Sequence, residues 1–297
     1  MKVLVTGVCG QLGYDVMGEL EKRGHEGVGS DLADTSCFPA YRKMDITNPE
    51  EVRATLEEVH PDAVIHCAAW TAVDAAEDDD KQEKVEAVNA LGTRHIARVC
   101  KEIGCKLLYI STDYVFNGQG TRAWEADCKE FGPLNVYGKT KLEGERAVSE
   151  TLERFFIVRT SWVFGKNGGN FIRTMLRLAE RGYRELKVVD DQIGTPTYTY
   201  DLARLLVDMI ETEKYGYYHA RNEGGYLSWA DLAQEIFRQA GREVTVLPVT
   251  TQEYGLSKAR RPMNSRLDTS KLVSCGFTPL PDWKDALKRY LQSMGEQ

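Results

Sequence analysis

The sequence predicts an α/β protein, a doubly wound parallel sheet followed by a smaller C-terminal α/β lobe. Three observations carry this. Short β-rich runs alternate with longer amphipathic segments through the first half of the chain. The runs at Val64-Ile65 and Leu107-Ile110 are almost wholly apolar, as strands buried on both faces are. A glycine-rich turn joins the first run to the first amphipathic segment. Alternation of this kind implies parallel strands with helices on both faces.

Residues 2–6 read as a strand. Residues 12–22 read as a helix, with Leu12, Val16 and Leu20 on one face. Residues 27–30 form a second strand. Residues 49–59 form a helix behind Asn48, an N-cap, with Pro49 in its first turn. A third strand spans 63–68, and one long helix spans 82–103 and stops at Gly104. A fourth strand at 106–111, a helix at 136–151 and a fifth strand at 155–160 complete the regular half. The second half offers helices at 170–181, 200–211, 229–240 (capped by Ser228) and 283–294. It adds a strand at 244–249 and an Arg- and Pro-containing loop at 256–266. The expected division is a dinucleotide-binding region at 1–165, with contributions from about 195–220, and a substrate lobe at 166–297.

The 297 residues are 42% hydrophobic and 28% charged, with a net charge of -7. This balance suits a folded domain and does not suggest a nucleic-acid partner. No run approaches the roughly 20 apolar residues of a membrane helix. Met1-Lys2 leads directly into the first strand rather than a signal-peptide core. Seven scattered cysteines include no Cys-x-x-Cys pair, which predicts free thiols in a reducing cytoplasm.

Gly7, Gly10 and Gly13 are spaced G-x-x-G-x-x-G between the first strand and the first helix. Such glycines let backbone N–H groups approach a pyrophosphate and let the helix pack on the strand. The positive end of the helix then faces the phosphates. Placed here, the motif predicts a Rossmann-type dinucleotide site. Asp31 ends the second strand, where an acid bonds the adenosine ribose and disfavours a 2′-phosphate. Asp45 and Ile46 are placed to meet the adenine. Cys67-Ala68-Ala69 at the end of the third strand are small enough for close approach of a cofactor.

Tyr137 and Lys141 lie four apart at the start of a helix, on one face. An ammonium beside a phenol favours the phenolate and lowers its pKa. A tyrosine tuned this way donates a proton to a carbonyl oxygen as hydride reaches the carbon. Thr112, at the tip of the fourth strand, is placed to bond the same oxygen. A Tyr-x-x-x-Lys pair is common on exposed helices; the glycine motif and the Ser111-Thr112 tip 25 residues upstream of Tyr137 give it context.

Along its whole length the chain resembles the extended short-chain dehydrogenase/reductase family. The resemblance rests on Gly10-Gln11-Leu12-Gly13, Ala69-Trp70-Thr71-Ala72-Val73-Asp74, Ser111-Thr112-Asp113-Tyr114-Val115-Phe116 and Pro133-Leu134-Asn135-Val136-Tyr137-Gly138. It also rests on Arg159-Thr160-Ser161-Trp162-Val163, Asp191-Gln192-Ile193-Gly194-Thr195-Pro196 and the stretch from Arg260 to Leu267. It implies a reductase of a 4-keto, dTDP-linked sugar that uses NADH or NADPH, with Thr112, Tyr137 and Lys141 catalytic. Gly7, Gly10, Gln11, Leu12, Gly13, Asp31, Asp45, Ile46, Ala69, Trp70 and Thr71 would line the cofactor, together with Tyr137 and Lys141. Val73, Asp74, Thr112, Asp113 and Trp162 would meet the sugar nucleotide, and Arg260 and Arg261 would clamp its diphosphate. An indole at 162 can stack on a base or sugar. Some relatives bind Mg²⁺ between two subunits. Asp15 matches one such position, but the sequence offers no further ligands, so no metal site is assigned. A homodimer is the default assembly.

Two rivals stay open on sequence alone. An epimerase or 4,6-dehydratase shares the fold, although a dehydratase would carry an acid where this chain has Tyr114. A non-catalytic protein like the regulatory subunit of methionine adenosyltransferase shares the motifs.

Overall fold

The computed structural model describes residues 1–295. Seven parallel strands form one sheet: β1 (Lys2–Thr6), β2 (Glu26–Asp31), β3 (Tyr41–Lys43), β4 (Ala63–His66), β5 (Lys106–Thr112), β6 (Phe155–Thr160) and β7 (Gly216–His219). Their spatial order is 7-6-5-4-1-2-3. The chain moves outward from β1 through β2 and β3, returns to β4 on the other side of β1, and continues in the opposite direction. The order therefore reverses between β1 and β4, and the crevice beyond their carboxyl ends is where such sheets bind ligands.

The period-2 alternation of a strand divides the core into two layers. Val3 and Val5 point to one face, where helices α1 (Gln11–Lys22) and α7 (Thr199–Ile210) bury Val16, Leu20, Leu206 and Met209. Leu4 points to the other face, among Leu56, Ile96 and Val148 from α2 (Pro49–Val59), α4 (Thr93–Ile103) and α5 (Val136–Ser149). Each fully buried side chain of this kind contributes roughly 1.5–3 kcal/mol. A third cluster fills the lobe. There α6 (Phe171–Glu180), α8 (Trp229–Gln239) and the closing helix Trp283–Gly295 pack Ile172, Phe237, Leu287 and Tyr290 beside the paired strands Glu185–Val189 and Thr245–Val249.

The doubly wound architecture matches the expectation, with differences in detail. β3, β7 and the strand Glu185–Val189 were not expected, because each is short or carries charged residues along an edge. The helix expected at 82–103 is present without a gap, but it contains a π-helical turn at Ala87–Gly92 between α3 (Gln82–Glu86) and α4. The cause is Asn89. Its side chain accepts from Trp70 N (2.8 Å) and donates to Thr140 Oγ1 (3.1 Å), and Thr93 Oγ1 bonds its carbonyl. The wide turn aims Asn89 at the loop after β4, and such turns cluster at functional sites. Residues 256–266 form a loop, as expected. Among the described residues no helix is long and apolar enough to cross a membrane, and all seven cysteines are unpaired.

Candidate active site

A cavity of about 730 Å³ follows the carboxyl ends of β2, β1, β4, β5 and β6. Gly7, Gly10, Gln11, Leu12, Gly13, Asp31, Asp45, Ile46, Ala69, Thr71, Val73, Thr112, Asp113, Tyr137, Lys141, Trp162 and Arg261 all line it. The structure thus gathers most of the residues singled out from sequence into one space.

At the β1–β4 switch, Gly7 has φ +73, and a Cβ there would stand 2.7 Å from Ala68 N. Only glycine permits both the turn and this approach. Gly10 heads α1 with no side chain capping the helix, so the first-turn N–H groups are free to meet an anion. Asp31 accepts from Cys9 N (2.9 Å) and Leu32 N (2.8 Å), which fixes its carboxylate beside the glycine loop. The neighbouring Ser30 hydroxyl is buried on the cavity wall without a partner. Glycine cradle, open helix end, fixed acid and unpartnered hydroxyl together fit a dinucleotide. Gln11 has a second duty: its Oε1 accepts from Gly165 N (2.8 Å) and Asn170 Nδ2 (3.0 Å), pinning the loop to the lobe.

Thr112 ends β5, and Tyr137 and Lys141 project from the first turns of α5. Asn135 caps that helix by accepting from Gly138 N at 2.8 Å. Lys141 is buried. Its Nζ donates to the Ile110 carbonyl (2.7 Å) and lies 4.1 Å from the centre of the Tyr109 ring. Burial pulls the Lys141 amine down to about 7, and Glu145 opposes this. Burial pushes the Tyr137 phenol up, against a hydrogen bond with Thr112. Spacing alone predicts that the ammonium lowers that phenol. In the structure desolvation dominates, and Lys141 is engaged by a carbonyl of β5. A phenol held in its protonated form is the state a proton donor requires. Asp113 is 2% exposed, its Oδ2 has no partner, and burial raises its carboxyl to about 7, offset in part by Ser265 and Thr112.

The lobe closes the other side. Trp162 has φ +49, a left-handed conformation rare outside glycine. Its indole stacks on Trp229 with ring centres 3.7 Å apart. A Cβ on Gly194 would lie 2.8 Å from the same indole. Trp162 is therefore fixed by Trp229 while it still lines the cavity. Arg261 donates to Asp74 (2.5 Å) and Tyr114 OH (3.3 Å) at the rim.

Three expected contacts fall off the cavity wall. Arg260 is exposed and enters the site only through its carbonyl, which accepts from Asn135 Nδ2 at 2.8 Å. Asp74 anchors the 259–261 loop through Ala259 N and Arg261. Trp70 donates from its indole to Ala72 O (3.1 Å) while Asn89 holds its backbone. Asp15 is hydrogen-bonded by Thr199, and burial lifts its carboxyl to about 6. No group of three or more His, Cys, Asp or Glu residues able to hold a metal occurs among the described residues. The donors of one chain thus do not assemble a metal site around Asp15. Sequence reasoning missed Asn89, Thr160 and Trp229. A polar Asn-x-x-Gly-Thr interrupting an amphipathic helix was the available signal for Asn89. Trp229 stands in the first turn of a helix, where the sequence marks only the cap Ser228.

Residues 1–296 match the family model described as the RmlD substrate binding domain. This chain belongs to that family.

Similar proteins match the chain over nearly its whole length. The spore coat polysaccharide biosynthesis protein SpsK of Bacillus subtilis is 39% identical over 291 residues, 98% of this chain and 97% of its own. A dTDP-4-dehydrorhamnose reductase of Streptomyces griseus is 42% identical over 290 residues, 96% of this chain and 91% of its own. Among solved structures, a dTDP-4-dehydrorhamnose reductase of Clostridium acetobutylicum superposes with a TM-score of 0.91 at 39% identity, over 99% of this chain and 100% of that one. The Bacillus anthracis dTDP-4-dehydrorhamnose reductase in complex with NADP gives 0.90 at 39% identity with the same coverage.

Proposed function

We propose that the chain reduces the 4-keto group of dTDP-4-dehydro-L-rhamnose to give dTDP-L-rhamnose. The observation that carries this is the meeting of Thr112, Tyr137 and Lys141 on the wall that joins the glycine-lined crevice to the lobe. Relatives at 36–42% identity named for this reaction support it, as does the NADP complex of a 39% identical neighbour.

Bound NADH or NADPH supplies the hydride. The residues of the chain do the rest. Thr112 and Tyr137 hold the carbonyl oxygen, and Tyr137 gives it a proton. Lys141 adds positive charge beside the phenol and stabilises the phenolate left behind. The unpartnered Asp113 Oδ2 takes a sugar hydroxyl, and Arg261 meets the diphosphate with charge-assisted hydrogen bonds. Trp162 and Trp229 form the apolar wall against which the deoxysugar lies. Asp31 favours NADH. No step is routed through Mg²⁺. The free cysteines suit a reducing compartment.

The test is consumption of NADH or NADPH, followed by absorbance, with the keto sugar made in situ. Equal loss of cofactor and gain of the reduced sugar is expected. No substrate-dependent loss with either cofactor would overturn the reading.

A further inference from the structure

Lys141 carries its charge in a place that disfavours charge, and the structure shows what opposes that cost. Its neighbours can be named element by element. From β5 come the Ile110 carbonyl and the Tyr109 ring. From the end of β4 come His66 and Cys67, and from α5 itself comes Glu145. Burial holds His66 down at about 3 and Cys67 up at about 12, so both are neutral at any working pH. Among these groups Glu145 is the one anion.

Glu145 lies one turn beyond Lys141 on the same helical face. It is 1% exposed and its carboxylate is fully engaged. Oε1 accepts from Ser111 Oγ (2.6 Å) and Arg159 Nε (2.8 Å), and Oε2 accepts from Arg159 Nη2 (2.7 Å). Arg159 is itself fixed. It is 1% exposed, donates to the Ala126 carbonyl (3.1 Å), and has Phe116, Phe131 and Tyr217 rings centred 5.0, 5.3 and 5.0 Å from its guanidinium carbon. A buried ion pair seldom adds net stability, because desolvation offsets the attraction. Here it stands one turn from the amine and one residue from Thr112, since Ser111 precedes Thr112 on β5.

We infer that Glu145 is a positioning residue for the reduction: held in place by Arg159 and Ser111, it keeps the Lys141 amine protonated at its buried position. The inference rests on the proposed reductase function for its consequence but not for its readout. Lys141 acts as an ammonium below its pKa, so activity falls as pH rises through it. Removing Glu145 lowers that pKa and moves the alkaline fall to lower pH.

The experiment is NMR titration of the intact protein carrying ¹³Cε-labelled lysine, with the Lys141 signal assigned by its loss in Lys141→Arg. In Glu145→Gln the Lys141 midpoint is expected to drop by about one pH unit or more. Glu145→Asp, which keeps the charge, is expected to recover most of that drop. Should Glu145→Gln fail to fold with Arg159 unpaired, the double variant Glu145→Gln/Arg159→Met leaves no lone buried charge and is expected to show a smaller drop of the same sign. An unchanged or raised midpoint in a folded variant overturns the inference. Failure of the sugar-reduction assay in the unmodified chain would overturn the functional reading and leave this titration intact. With both in hand, the alkaline limb of kcat/KM in Glu145→Gln moves with the NMR midpoint.

Discussion

Along the sheet, the cavity wall is made of strand ends and of the start of α5, which carries Tyr137 and Lys141. Gly7, Cys67, Thr112 and Ser161 each stand at or just past the carboxyl end of a strand whose neighbours are fixed residue by residue in parallel register. On the lobe side, Trp162, Trp229 and Arg261 come from loops and a helix start and are placed by one another: indole on indole, guanidinium on Asp74 and Tyr114. The sheet side cannot shift one residue without moving a whole strand. The lobe side can exchange a ring or a charge and leave the sheet untouched. On the proposed function the chemistry lies on the sheet side while the lobe side adds to the grip on the sugar nucleotide, and substitutions should separate along that line.

The largest effect is expected at the sheet wall. Tyr137→Phe should lower kcat by at least ~100-fold, the scale of losing an acid–base group, while cofactor affinity measured by titration stays unchanged. Near-normal turnover would remove Tyr137 from the mechanism. On the lobe wall, Arg261→Ala should raise the KM for the sugar nucleotide by roughly 10-fold or more, the scale of a charge-assisted hydrogen bond, with kcat largely kept. A fall in kcat with KM unchanged would blur the division between the walls. Trp229→Ala should raise the same KM by a few fold, since an aromatic pair is worth about 0.5–1.5 kcal/mol beyond its buried area. Its cofactor affinity should match the parent; weaker cofactor binding would place Trp229 on the wrong side. Arg260→Ala is expected to change either constant by no more than about 2-fold, as for an exposed side chain. A large loss there would show that the loop turns inward when substrate binds.

The sheet wall was readable from the sequence because its rules are local. Strand periodicity, a glycine turn that must approach Ala68, and an i,i+4 pair on one helix face all leave marks within a few residues. The lobe wall was read mostly through resemblance, and incompletely. Nothing near Trp229 shows that it stacks on a residue 67 positions earlier, and nothing near Arg260 shows that it, and not Arg261, turns away. The π-helical turn at Ala87–Gly92 was unreadable for the same reason, because Asn89 is committed to Trp70 and Thr140 across the fold. The direction of the Tyr137 shift was missed because proximity of charge can be read from spacing, whereas desolvation depends on everything packed around the phenol.

The central claim is that this wall would hold a sugar carbonyl so that its carbon receives hydride from bound NADH or NADPH while Tyr137 protonates its oxygen. It is tested most directly with NADH or NADPH deuterated at the transferring position and the dTDP-linked keto sugar, the product being read by mass spectrometry and NMR. The account predicts one deuterium at the former carbonyl carbon for each cofactor oxidised. A sugar product free of deuterium, or one formed with no net oxidation of cofactor, would contradict it.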